Sequence, residues 1–246
     1  MAIGLLIIGD EILSGRRQDK HFVHAIEVFN RRGLELAWAR YSGDDNFQLI
    51  QQFRDIRQTG DICFSFGGIG ATPDDLTRQS IAAAFKLPLI RHPQAVAEIE
   101  ARFGERAYPN RILMADLPQG AQLIPNPYNR VPGFSLEQIY CLAGFPEMAW
   151  PMMEWVMDEY YGSISVTRPV LHLLTVYDVY ESELLDIMQA IVKRYPAVKF
   201  SSLPRLLADN QREIELGFKG ETSIAAAARQ TMIEALEARR VRFSQQ

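Results

Sequence analysis

Short apolar runs alternate with helical periodicities along the first third of the chain. Ile3–Ile8 is a continuous run rich in Ile and Leu, the pattern of a strand covered on both faces. Phe22, Val23, Ile26 and Phe29 then recur at helical spacing, and Gly33 stops that helix. Leu34–Tyr41 predicts a second strand. Asn46–Arg57 predicts a helix with Phe47, Ile50, Phe53 and Ile56 on one side, closed by Gly60. Asp61–Phe66 predicts a third strand and Thr72–Phe85 a third helix. This order, with short connections, predicts a parallel sheet with helices on both faces.

The middle is less regular. Pro93–Arg106 is helical in pattern, Pro109–Ala115 a short helix at most, and Ala121–Pro125 and Gln138–Leu142 strand-like. Between those strands lies the turn-rich Asn126–Phe134. Phe145–Tyr161 predicts a helix started or kinked by Pro146 and Pro151, with Met, Trp and Tyr side chains that suit a core or a subunit contact; a homo-oligomer is expected. Gly162–Pro169 is the linker candidate. Beyond it the pattern reads strand (Val170–Tyr177), helix (Glu181–Arg194), strand (Ala197–Leu203), strand (Glu213–Phe218), helix (Glu221–Val241). The fold class expected is therefore α/β: a three-layer, doubly wound, mostly parallel sheet over residues 1–165, then a small α+β module over 169–246, half ferredoxin-like or KH-like.

A length of 246 residues admits one large domain or two smaller ones. With 48% hydrophobic and 23% charged residues the chain matches globular proteins, which excludes a disordered or fibrous class. The net charge of −4 gives no global basic field, so nucleic acid is not an expected partner. No run approaches the ~20 apolar residues of a membrane helix, and the N-terminal run lacks the basic start and cleavage site of a signal peptide. No membrane partner is expected, and the cytoplasm is the expected location. Cys63 and Cys141 lie in apolar runs and read as buried, reduced thiols.

The strongest chemical signal follows the third predicted strand: Gly67-Gly68-Ile69-Gly70-Ala71-Thr72-Pro73-Asp74-Asp75-Leu76-Thr77. Three glycines in four residues let the backbone turn its amides inward, and such a turn at a strand's carboxyl end cradles phosphate. Thr72 as cap with Pro73 behind it also reads as an ordinary helix start, which leaves the glycines unexplained. A second loop, Gly9-Asp10-Glu11-Ile12-Leu13-Ser14-Gly15, follows the first strand. Were the two strands neighbours, the acids would face a bound phosphate. Two like charges ~4 Å apart repel by about 4 kcal/mol at an effective dielectric of ~20, which a divalent cation such as Mg²⁺ or contacts to ligand hydroxyls would relieve. In the third cluster, Asn126 is suited to a base edge and Arg130 to a phosphate. His21 and His24 are three apart on a helix but match no metal spacing, and Gly217–Gly220 matches the GxxG of KH domains only in letters.

Together these loops, with Asn126–Phe134 and Gly144–Met148, resemble the molybdopterin-binding-domain superfamily. The nearest resemblance is to the competence/damage-inducible protein A family and to the similar domain fused to FAD synthases. It covers residues 1–165, and the C-terminal module resembles the small KH-like domain that follows in the first of these families. The resemblance implies a pterin- or nucleotide-binding domain with metal-dependent pyrophosphatase activity on an ADP-ribose- or FAD-type diphosphate. Rival expectations are a non-catalytic molybdopterin or nucleotide-binding module, and adenylyl transfer to molybdopterin. The deamidase domain of that family has no counterpart in these residues, so deamidase activity is not expected. By resemblance Gly67, Gly68, Gly70 and Thr72 hold phosphate, Gly9 lies beside the ligand, and Thr77 supports the helix start. Asp10, Glu11, Asp74 and Asp75 coordinate a divalent metal, with Glu11, Asp74 and Asp75 acting in catalysis. Two departures stand out: Ile69 and Ala71 replace a Thr and a Pro common in relatives, and Glu147-Met148 falls one residue early.

Overall fold

The computed structural model describes residues 2–162, 169–206 and 212–245. The chain divides into two compact units, Met1–Val166 and Thr167–Gln246. The expected linker Gly162–Pro169 lies, apart from its end residues, outside the described residues.

Strand β1 (Ile3–Ile8) is buried at every position, as its unbroken apolar run requires. A single turn, α1 (Asp10–Leu13), leads to the amphipathic α2 (His21–Arg31). β2 (Trp38–Ser42) pairs parallel with one edge of β1, and after α3 (Asn46–Thr59), β3 (Ile62–Phe66) pairs parallel with the other. The first crossover runs from β1 to β2 and the second from β2 back past β1 to β3, so they run in opposite directions along the sheet. Right-handed crossovers then put α2 and α3 on opposite faces, which makes three layers. α4 (Thr77–Phe85) packs beside α3. β4 (Leu89–Arg91) and β5 (Asp116–Pro118) form a separate antiparallel ribbon, with α5 (Pro93–Phe103) between them in the chain. β6 (Gln122–Ile124), β7 (Gly133–Leu136) and β8 (Ile139–Leu142) complete the order β2-β1-β3-β8-β7-β6, in which only β7 runs against the others. α6 (Pro146–Tyr161) packs beside α2. Phe64 links the layers, with ring centroids 5.8 Å from Phe29 on α2 and 5.3 Å from Tyr140 on β8.

The register has a direct consequence for function. Ile8 lies opposite Ser42, Ile7 opposite Phe66, and Phe66 opposite Leu142. Four parallel strands thus end side by side, and their carboxyl-end loops open on one edge of the sheet.

Several expectations are corrected. The second strand starts at Trp38 and not at Leu34, because Leu34 N caps α2 through Phe29 O and the chain first reaches β1 where Ala37 N donates to Ile3 O. The third helix starts at Thr77 and not at Thr72, because Asp75 folds back on Thr72 and ties off a separate turn. The turn-rich stretch hides β7, whose Phe134 is fully buried; its turn formers end at Pro132, and the two-residue turn Glu137-Gln138 then pairs β7 with β8. Pro109–Ala115 yields a 3₁₀ helix over Arg111–Ala115.

The second unit contains β9 (Val170–Tyr177), α7 (Glu181–Arg194), β10 (Lys199–Leu206), β11 (Arg212–Gly220) and α8 (Thr222–Ala238). A short β12 (Phe243–Gln245), which its few residues do not announce, adds to the edge of β9. The antiparallel order is β10-β11-β9-β12. Gly217–Gly220 lies inside β11, paired to β9 and β10, so no KH-type loop forms there. Cys63 and Cys141 are free thiols, fully buried on the adjacent β3 and β8. Among the described residues no helix is long and apolar enough to cross a membrane.

Phe134 is the test of whether β7 is a structural strand or a decorated turn. Phe134→Ala should cost about 3–5 kcal/mol, read as a lower denaturant midpoint for the first unit; a loss under about 1 kcal/mol would mean that β7 carries little of the packing.

Candidate functional site

The four strand tips enclose a cavity of about 800 Å³ lined by, among others, Gly9, Glu11, Asp44, Gly67–Thr72, Asp74 and Asp75. Its floor is the glycine turn. Gly67 N makes the last sheet bond of β3, to Leu142 O at 3.1 Å. The backbone then turns through φ values of 103° at Gly67 and 69° at Gly68, a region side chains disfavour. A Cβ at Gly67 would also sit 2.4 Å from Ile8 O.

Three carbonyls of this turn are held from behind. Thr77 Oγ1 donates to Gly67 O at 2.8 Å, Thr77 N to Gly68 O at 3.0 Å, and Arg78 Nη2 to Gly70 O at 2.6 Å. In a trans peptide the C=O and N–H point in opposite directions. The amides of Gly68, Ile69 and Ala71 are therefore turned the other way, and all three residues line the cavity. None of these amides has a hydrogen-bond acceptor among the described residues. Unpaired amides in one turn form a receptor for an anion. Arg78 is buried and commits its guanidinium to the carbonyls of Gly70, Leu113 and Asp116. Ile69 sends its side chain into the core and leaves its amide for the cavity.

The acids divide by role. Asp75 Oδ2 accepts from Thr72 N at 2.9 Å and from Thr72 Oγ1 at 2.5 Å, so Asp75 and Thr72 close the turn on each other. The neighbouring Thr72 side chain, and then a backbone amide, hold Asp74 below the usual carboxylate range. Asp10 N donates to Asp44 Oδ2 at 3.0 Å and Asp44 N to Asp10 Oδ1 at 3.3 Å, which latches the β1 loop to the β2 loop. Asp10 is thereby kept out of the cavity lining, while Asp44 enters it. Burial, and then the charges of Asp10, Glu11 and Asp74, push the Asp44 carboxyl above its ordinary range against the pull of the Asp10 amide. Among the described residues no three His, Cys, Asp or Glu side chains converge as a complete metal cage.

Of the other residues expected at the site, Asn126 lines the cavity but builds its wall. Its Nδ2 donates to Asn129 Oδ1 and Val131 O, and its Oδ1 accepts from Tyr128 N, which leaves little for a base edge. Arg130 lies outside this cavity: its left-handed backbone turns it away, and it pairs with Glu98 at 2.8 Å on the rim of a second concavity. Thr77 is fully buried behind the turn. His21 and His24 share no ligand. His24 stacks on Trp150, whereas His21 stacks on Phe66 and places Nε2 3.1 Å from Gly144 O. Burial pushes the His21 pKa down, which favours the neutral ring, and Nε2, facing a carbonyl, is the nitrogen placed to carry its proton.

Sequence reasoning missed Asp44 as a site residue, because one acid after a strand carries no signal without knowledge of which strands adjoin. It also missed Phe103 and Met114, apolar lining residues from segments distant from Phe145 and Met148, which lie in the stretch singled out by the sequence.

Residues 4–162 match the family described as "Probable molybdopterin binding domain". A CinA-like protein of Picosynechococcus sp. is 36% identical over 151 residues, covering 59% of this chain and 36% of that protein. A CinA-like protein of Anaeromyxobacter dehalogenans is 29% identical over 200 residues, covering 78% of this chain and 49% of that protein. The chain thus spans half or less of the length of these two relatives. A solved structure, described as the protein CinA with unknown function from Thermoplasma acidophilum, superposes with a TM-score of 0.59 at 24% identity, over 65% of this chain and 98% of that one. It supports the fold of the first unit.

The crowding of carboxylates at the β1 and β2 tips should appear as a pH-dependent cost in stability. A raised carboxyl pKa favours the folded state below the unfolded value, near pH ~4, and that contribution is lost as pH rises through the folded value. Asp44→Asn, which keeps an acceptor for the Asp10 amide, should therefore melt higher than wild type at pH 7, and the difference should vanish below about pH 4. Equal melting temperatures at both pH values would show that the charges do not oppose folding.

Proposed function

Because the chain belongs to the molybdopterin-binding-domain family, we propose that the glycine-turn cavity binds the phosphate end of a nucleotide- or pterin-type ligand and hydrolyses an ADP-ribose- or FAD-like diphosphate with the help of a divalent cation. The observation that carries the proposal is the set of unpaired amides at Gly68, Ile69 and Ala71, held in one cavity with Glu11, Asp44 and Asp74. Amides alone would bind a phosphate; acids alone would repel one.

Among the described residues no three acids converge on one point, so one or two of Glu11, Asp44 and Asp74 would have to hold a cation such as Mg²⁺ together with the ligand's phosphate. Glu11, Asp44 and Asp74 form no ion pair among the described residues, and Asp44 already feels the surplus negative charge. Mg²⁺ is commonly held by one or two carboxylates with phosphate oxygens and water completing its shell, so a full protein cage is not required. When bound there, such an ion would polarise the diphosphate. The remaining roles fall to the chain itself. The amides of the turn neutralise phosphate oxygens, and more strongly as charge grows on them. Asp74, held below the usual carboxylate range beside Thr72, suits cation binding better than proton transfer. Asp44, with one carboxylate oxygen tied to the Asp10 amide, keeps its other oxygen to take a proton from an attacking water. Phe103, Phe145 and Met148 offer a flat ring an apolar seat.

Pure protein incubated with ADP-ribose or FAD and Mg²⁺ should release mononucleotides. Asp44→Asn should slow product formation by about 100-fold or more while nucleotide affinity persists, and Asp74→Ala should raise the Mg²⁺ concentration needed for half-maximal rate. Saturable nucleotide binding without product, under Mg²⁺, Mn²⁺ and Co²⁺ alike, would overturn the hydrolytic part and leave a binding module.

A further inference from the structure

Two arginines enter the cavity that neither the glycine turn nor the acids account for. Arg16 and Arg17 end the loop that begins at the β1 tip, and they are the cationic side chains in the cavity's lining. Four carboxylates share that lining, those of Glu11, Asp44, Asp74 and Asp75. Even so, neither guanidinium forms an ion pair among the described residues, although Glu11 and Asp19 flank them in the chain.

The two side chains are placed rather than loose. Arg16 Nε donates to Ser14 Oγ at 3.3 Å, which leaves both terminal nitrogens free. Arg17 N donates to Glu11 O at 2.9 Å, and its guanidinium lies over the Phe145 ring at 5.5 Å. Phe145 follows β8, so Arg17 ties the first strand's loop to the fourth tip across the cavity mouth. The three amides of the turn suit the oxygens of one phosphate. A second phosphate would meet a wall with twice as many carboxylates as cations, and Arg16 and Arg17 are the lining side chains able to receive it. A guanidinium does so well because its planar fork matches two phosphate oxygens at once.

We propose that Arg16 and Arg17 form a second anion subsite that selects a diphosphate-bridged ligand over a monophosphate. The inference rests on the phosphate-binding role proposed for the glycine turn and names the ligand class for the same cavity. The turn takes one phosphate and the arginine pair takes its neighbour. The Arg17–Phe145 contact holds one of the two guanidinium groups in place.

Calorimetric titration with two probes tests this: α,β-methylene-ADP, which carries a bridge that cannot be hydrolysed, and AMP, both with Mg²⁺ and at two salt concentrations. Wild type should bind the diphosphate probe at least about tenfold tighter than AMP. In the double variant Arg16→Gln, Arg17→Gln that ratio should fall to about one, with AMP affinity kept within about twofold and a shallower salt dependence for the diphosphate probe. Arg16→Lys with Arg17→Lys should recover part of the ratio, since charge returns without the fork. Equal losses for both probes, or an unchanged ratio, would overturn the subsite. If wild type binds both probes equally well, the subsite falls while the glycine-turn proposal stands. If it binds neither, both fall.

Discussion

A planar peptide cannot send its carbonyl and its amide the same way, and the first unit's site depends on that constraint. Thr77 and Arg78 open α4, and between them they hold the carbonyls of Gly67, Gly68 and Gly70. The amides that follow have no choice but to turn outward. The helix therefore sets the polarity of the loop that precedes it. It does so with a hydroxyl, a backbone N–H and a buried guanidinium, all anchored in the packed layer that α3 and α4 form. An anion receptor made this way needs no charged side chain in its floor, and little reorganisation when a ligand arrives.

Around that floor the electrostatics are unfavourable by design of the fold. Level strand ends bring Glu11, Asp44 and Asp74 into one cavity, and Asp44 is pushed up as a result. Such crowding works against the folded state, and it is common where a ligand or a cation supplies the missing charge. The reciprocal bonds between Asp10 and Asp44 hold the two loops together in spite of it. Asp10 and Asp75 are thus structural carboxylates, Asp10 latching one loop to another and Asp75 closing its own turn. Asp44 shares that latch through one carboxylate oxygen only, and with Glu11 and Asp74 it lines the cavity, which is why the proposed chemistry falls on these three.

Much of the fold was legible from side-chain pattern. The unbroken run Ile3–Ile8 announces a strand buried on both faces. The helical spacing of Phe22, Ile26 and Phe29, and the glycines that close α2 and α3, delimit the elements around it. The glycine turn was legible as well, since three glycines in four residues serve no helix cap. The elements missed are those whose stability comes from a partner. β7 is four residues long, and it forms because β6 and β8 each supply a ladder. β12 has three residues and leans on the open edge of β9. Short segments carry too little local preference to declare themselves.

Local pattern by itself determined most of the strands and helices, and that a glycine turn follows the third strand. Hydrophobic periodicity and glycine's conformational freedom are properties of neighbouring residues, so they can be seen in the chain. Tertiary structure alone decided which carboxylates meet. Asp44 replaced Asp10 in the cavity lining, Arg130 turned away to Glu98, and Phe103 and Phe145 met at one cavity from segments some forty residues apart. Strand order and register fix those distances, and both are set by packing between segments that no local stretch of sequence contains.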